Sequence, residues 1–186
     1  MELETYQRKL AGLIKGTYSP EPNDDAHLKS IAKSENLLVT QEIITWWRQL
    51  CIERYCQLTS AALKQLGIFE IETERMVNQW EFSSYIEELG HQFLVKMQNH
   101  ELELVACLAK FESALINVKQ GIVDSVTVEW QHAPYAVLSR VVTGSGLHTI
   151  KPTGYYETLV SRDLPGLFKV LQINRTSIDI DPAIDP

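Results

Sequence analysis

The sequence predicts an α+β protein: an N-terminal helical bundle over residues 1–118, followed by a small C-terminal β-rich (α/β) domain over residues 119–186. Three observations predict it. Up to Val118, apolar residues recur at three- and four-residue intervals, the period of a helix with one buried side. After Gly121 the runs TVEWQ, YYETLVS and LFKVLQI are rich in β-branched and aromatic residues, and HAP, GSG, KPTG and DLPG cut them in the manner of strand-and-turn punctuation. An apolar content of 45% in 186 residues is enough to bury a core without metals or disulfides.

The helices follow in order. Leu3, Tyr6, Leu10, Leu13 and Ile14 place an amphipathic helix over residues 2–15, ended by Gly16. The stretch TYSPEPNDD is a loop, and a short helix runs from Asp25 to Lys33 with Asp24 or Asp25 as N-cap. From Thr40 to Gly67 the stripe of Ile43, Ile44, Trp47, Leu50, Cys51, Tyr55, Leu58, Ala62, Leu63 and Leu66 predicts one long central helix, with Thr59 and Ser60 the place for a bend. A short helix over Thr73–Gln79 comes next, then one capped by Ser83 or Ser84 and running to Met97. The sixth runs from His100 or Glu101 to Leu115.

In the second part, Val123, Ser125, Thr127 and Glu129 alternate with Asp124, Val126, Val128 and Trp130, which is strand period. Residues 135–142 fit either a strand or a short helix, and the tail RTSIDIDPAIDP reads as an edge strand with a loose end.

The formal charge of -7 lies almost wholly in the helical part, where residues 1–118 hold 11 Lys/Arg against 17 Asp/Glu. A surface that neutralises phosphates needs the opposite balance, so nucleic acid is not the expected partner. Cys51, Cys56 and Cys107 are odd in number, lack metal-ligand spacing, and fall in apolar helical patterns, which predicts buried reduced thiols. Glu2 and Glu4 follow Met1, and no run approaches the ~20 apolar residues of a membrane span, so the expected location is cytoplasmic with no membrane partner.

Candidate chemistry is sparse. Glu88 and His91 form a Glu-x-x-His spacing like that of carboxylate-bridged di-iron bundles, where Glu101, Glu103 or Glu112 could add oxygens; the second such motif those sites need does not occur. The favoured reading of His91 is a solvated or capping side chain, and His27, His100, His132 and His148 are expected at the surface. No nucleophile elbow, metalloprotease helix or phosphate loop is present, so no cofactor is expected. Trp46 and Trp47 point about 100° apart on a helix, so Trp47 is expected in the core stripe and Trp46 outside it, beside Arg48, as an aromatic and Arg anchor for a partner. Strands 156–160 and 167–173 offer edges to which an extended peptide can bond through its main chain.

The segments YQRKLAGLI, TWWRQLCIERYCQLTSAALKQLG, YIEELGHQFLVKMQ, HAPYAVLSRVV and YYETLVSRD, in that order, resemble the family typified by HvfC and BufC proteins, whose members carry a DNA-binding-domain label. The chain departs from that family's pattern in lacking a Pro after the aromatic of the central helix and an Asp/Trp-rich start to the last one. The resemblance implies an N-terminal helical domain with a smaller α/β part, and a strand ending in a basic residue, here Arg162. It implies a non-catalytic accessory protein that works beside a multinuclear iron oxidase modifying a ribosomally made peptide. The expected function is therefore an adaptor that binds a peptide or partner enzyme through Trp46, Arg48 and Arg162, with a DNA-binding regulator and a metal-dependent oxidase using Glu88 and His91 as the rival readings.

Overall fold

The protein, seen in a computed structural model, is described over residues 2–79 and 85–173, and for side chains over all of these except 77–79, 172 and 173. Its elements run α1 (Leu3–Lys15), α2 (Ala26–Ala32), α3 (Glu35–Tyr55), α4 (Gln57–Gln65), α5 (Phe69–Gln79), α6 (Ile86–Met97), α7 (Glu103–Gln120), β1 (Ser125–Trp130), α8 (Pro134–Thr143), β2 (Tyr155–Ser161), a 3-10 turn (Pro165–Leu167) and β3 (Phe168–Ile173). The fold class is α+β: helices first, then an antiparallel sheet in the order β1-β2-β3. Among the described residues no helix is long and apolar enough to cross a membrane.

Local chemistry explains most of the boundaries. Gly16 ends α1 in the left-handed region at φ 71°, its amide returning to Leu13 O. Asp25 caps α2 by accepting from the His27 amide at 2.7 Å. Residues 135–142 resolve as the helix α8, since Pro134 sits at its first turn and Gly144 closes it in the left-handed region. The expected capping serines Ser83 and Ser84, together with Trp80 and the tail 175–186, lie outside the described residues.

The long central helix is two helices. Ser34 caps α3, so it starts five residues before Thr40, and it stops at Cys56, whose backbone (φ -104°, ψ 62°) leaves the helical region three residues before Thr59. The thiol of Cys56 donates to Gly90 O at 3.3 Å. The new helix α4 is capped from a distance: Glu112, on α7 and only 5% exposed, accepts from the Leu58 amide through Oε1 and from the Thr59 amide through Oε2, both at 2.8 Å. A buried carboxylate there meets the positive end of a helix and satisfies two donors with no intrahelical partner.

The chain divides into two compact units, Met1–Gln57 with Ile68–Phe93, and Leu58–Gly67 with Leu94–Pro186. The change of rhythm at residues 118 and 119 thus marks the end of α7 and does not coincide with a division between the units. The reason is that α4 and α7 share one core with the sheet: Ala62, Leu108, Phe111, Val128, Trp130 and Val160 are all buried together. In the other unit, Leu13, Leu28 and Leu37 bring α1, α2 and α3 around one small core. The loop after α1 is held there by Asp24, which accepts from Lys9 Nζ, Tyr18 Oη and the Glu21 amide; these bonds, led by that from Lys9, hold its carboxyl down at about 2. Gly90 on α6 lies so close to the Tyr55 ring that a Cβ would overlap it, which is why this helical position is glycine.

Burial pushes the Glu112 carboxyl above the ordinary carboxylate range, while the Thr59 and Leu58 amides pull it back. A group with a raised native pKa holds its proton more tightly folded than unfolded. Its contribution to stability is then complete below the ordinary carboxylate range and declines as the pH climbs through the raised value. Chemical unfolding followed from about pH 4 to about pH 8 should show the native protein losing stability relative to Glu112→Gln as the pH rises. A gap between the two that does not change with pH would refute this account. Glu112→Ala, which orphans both amides, is expected to cost about 2 to 3 kcal/mol.

Candidate peptide-binding groove

Sheet order decides where a strand can be added. β2 is central, pairing Val160 with both Val126 and Phe168, so the predicted edge at 156–160 does not exist; the edges are β3, as expected for 167–173, and β1. Along β1 the side chains of Val126, Val128 and Trp130 turn to the core, and those of Ser125, Thr127 and Glu129 turn to solvent. Main-chain direction alternates too. As at any sheet edge, alternate residues of β1 carry N–H and C=O groups that face away from β2, and Cys107 Sγ on α7 donates to Glu129 O at 3.3 Å.

Beside this edge lies a groove of about 450 Å³. Its floor and one wall are Val126–Glu129, and its other wall is the side of α7 carrying Lys110, Ser113, Ala114 and Asn117, with Gln98 at its border. The wall exists because α7 is apolar over most of its circumference: Val105, Leu108, Phe111 and Val118 are committed to the core, which leaves a narrow polar strip running parallel to the strand edge. Phe111 meets Trp130 edge-on at 5.6 Å and Phe168 at 5.1 Å, so the helix is held at a set height over the sheet. A polar strip facing a row of main-chain donors and acceptors suits an extended chain.

The groove contains no activated nucleophile. Burial pushes the Cys107 thiol up, with Glu103 adding to the effect, and it pushes the Cys51 thiol up as well. These two groups stay protonated thiols near neutral pH. All three cysteines are buried, as their spacing predicted. His132 departs from expectation: it is buried at 6% exposure, and burial lowers its pKa, so it is a neutral imidazole. The turn after β1, where the Ala133 amide bonds Thr153 and Thr153 N bonds Gln131 O, folds it inward.

The other sequence-predicted residues lie elsewhere. Trp46, 60% exposed, and Arg48 both border a cleft of about 440 Å³ beside α1 and α3. Trp47 is 51% exposed, which corrects its expected place in the core. The side of α3 that turns inward carries Leu37, Gln41, Ile44, Arg48 and Cys51, and Gln41 earns its place by donating to Leu13 O at the end of α1, at 2.7 Å. Trp47 instead borders an apolar cleft of about 310 Å³ with Ile44, Cys51 and Leu89. Glu88 and His91 are exposed on α6, and of the carboxylates considered beside them Glu101 and Glu103 are exposed and Glu112 is engaged by α4; among the described residues no three His, Cys, Asp or Glu side chains gather as metal ligands.

Arg162 follows β2 and reaches the end of α7, where Nε donates to Val118 O at 2.6 Å and Nη2 to Lys119 O at 3.3 Å. A cation at that end favours the helix dipole and adds side-chain donors to two of the last carbonyls, of which Val118 O also accepts from the Gly121 amide. Arg162→Ala should therefore lower stability by about 1 kcal/mol, with Arg162→Lys intermediate, in thermal or urea unfolding. An unchanged melting curve for both variants would show that the guanidinium does not hold the helix end. Compared with protein families, curated proteins and solved structures, the chain matches none of them.

Proposed function

We propose that this protein is a non-catalytic adaptor that binds an extended peptide segment as an added strand on β1, in the groove walled by α7. The observation that carries the reading is the juxtaposition of the β1 edge at Val126–Glu129 with the polar strip Lys110, Ser113 and Asn117 across about 450 Å³ of open space. Main-chain bonds supply affinity in this mode of recognition, and the helix wall selects side chains. Neither requires a reactive group, in keeping with protonated thiols and a neutral imidazole nearby. The resemblance to HvfC and BufC proteins supports a ribosomally made peptide as the segment and an iron-dependent oxidase as the enzyme to which it is presented, in a cytoplasmic setting. The acidic balance of residues 1–118 speaks against duplex DNA as the ligand.

Peptides selected from a random display library against the full-length protein provide the test. Their binding should slow hydrogen exchange at the amides of β1 and should weaken at least about tenfold in Thr127→Trp, whose exposed side chain would fill the groove from the β1 side. Asn117→Trp, which fills the groove from the α7 side, should have a similar effect without touching the strand. Selected peptides that bind both variants as tightly as the native chain, or a library that yields no binder, would overturn the proposal.

A further inference from the structure

α3 is apolar on two sides. Opposite its inward side it carries Val39, Ile43, Trp46 and Leu50, and Val39, Ile43 and Trp46 are 51%, 58% and 60% exposed. A helix on a protein surface ordinarily keeps its apolar residues to one stripe and turns charge to water. Here four outward residues in succession are apolar, with Glu42 at their flank and Glu53 beyond them, and their spacing of four, three and four is that of the a and d positions of a coiled-coil seam.

We infer that this side of α3 pairs with the same side of a second copy of the chain, antiparallel about a two-fold axis. The spacing is the same read in either direction. Two such helices running oppositely therefore bring Val39 of each copy to Leu50 of the other, and Ile43 to Trp46, so that every seam position is filled and each indole meets an isoleucine in place of a second indole. The flanks agree, since Glu42 falls beside Gln49 of the other copy and Trp47 beside Thr40, with no like charges opposed.

Area decides for a second copy over a small ligand. Val39, Ile43, Trp46 and Trp47 together expose on the order of 500 Å², and twice that reaches the ~1,000 Å² at which a specific protein interface becomes stable. Such a patch is also at the upper end of what monomers leave in water. The inference does not depend on the peptide reading, because every residue it uses lies on α3 and none borders the β1 groove.

Light scattering and sedimentation of the full-length chain test it. The expected mass is twice 21.2 kDa, falling toward the single-chain value on dilution. Trp46→Glu or Ile43→Lys should abolish the larger species without altering the circular dichroism, since both side chains stand in solvent in the single chain; Trp46→Ala should weaken association by about 30-fold. An equal mixture of Ile43→Cys and Trp46→Cys chains should cross-link under mild oxidant faster than either alone, as antiparallel pairing requires. A single-chain mass at about 100 µM, a dimer untouched by both charged variants, or faster cross-linking of Ile43→Cys with itself would overturn the inference.

Discussion

The buried carboxylate of Glu112 is the constraint around which the sheet-bearing unit is organised. Two amides at the start of α4 have no partner of their own, and burying them unmet would cost more than most single contacts return. Glu112 meets both at 2.8 Å and so ties α4 to one turn of α7. The adjacent residue Phe111 points to another side of the same turn, where it packs on Trp130 and Phe168. One turn of helix thereby sets the position of α4 and the height of α7 over the sheet. That height, with Arg162 closing the far end of α7, sets the width of the channel beside β1.

A channel bounded by a free strand edge and a helix has a restricted chemistry. It offers hydrogen-bond donors and acceptors in a straight line, at the repeat of an extended chain, and a second wall of mixed polarity. Among the described residues no three His, Cys, Asp or Glu side chains gather there as metal ligands, and the neighbouring Cys107 thiol is pushed up by burial. Recognition through main-chain bonds tolerates many sequences, and discrimination falls to Lys110, Ser113 and Asn117. The outward side of α3 has the contrary character, an apolar surface with a strict spacing and no hydrogen-bonding order. One surface suits a variable, extended ligand and the other suits a rigid helix of matching period.

Much of this architecture was legible in the residues, and the exceptions are instructive. The helix at the start, its Gly16 stop, the short α2, and the three strands appear where periodicity and turn chemistry put them. The break at Cys56 was not legible, because nothing near it is a helix breaker; the cap that makes a new helix start there comes from Glu112, 53 residues away from Thr59. Trp47 was misread for a related reason. The inward side of α3 includes Gln41 and Arg48, polar residues that a hydrophobic pattern assigns to solvent, and only the bond from Gln41 to Leu13 O shows why that side is the buried one. The β1 groove was missed although strand addition was anticipated, since composition does not reveal which of three strands is central.

By itself, the sequence determined the class of the fold, the type and approximate extent of its elements, and the burial of its three cysteines, because all of these follow from local spacing and side-chain chemistry. Only the tertiary structure decided that β2 lies between β1 and β3, that α3 keeps Trp47 as well as Trp46 out of the core, and that Arg162 serves the end of α7. Periodicity reports which residues share a side of an element. Which side acquires a neighbour is settled by contacts between residues distant in the chain, and those depend on the balance of burial and hydrogen bonding over the whole unit.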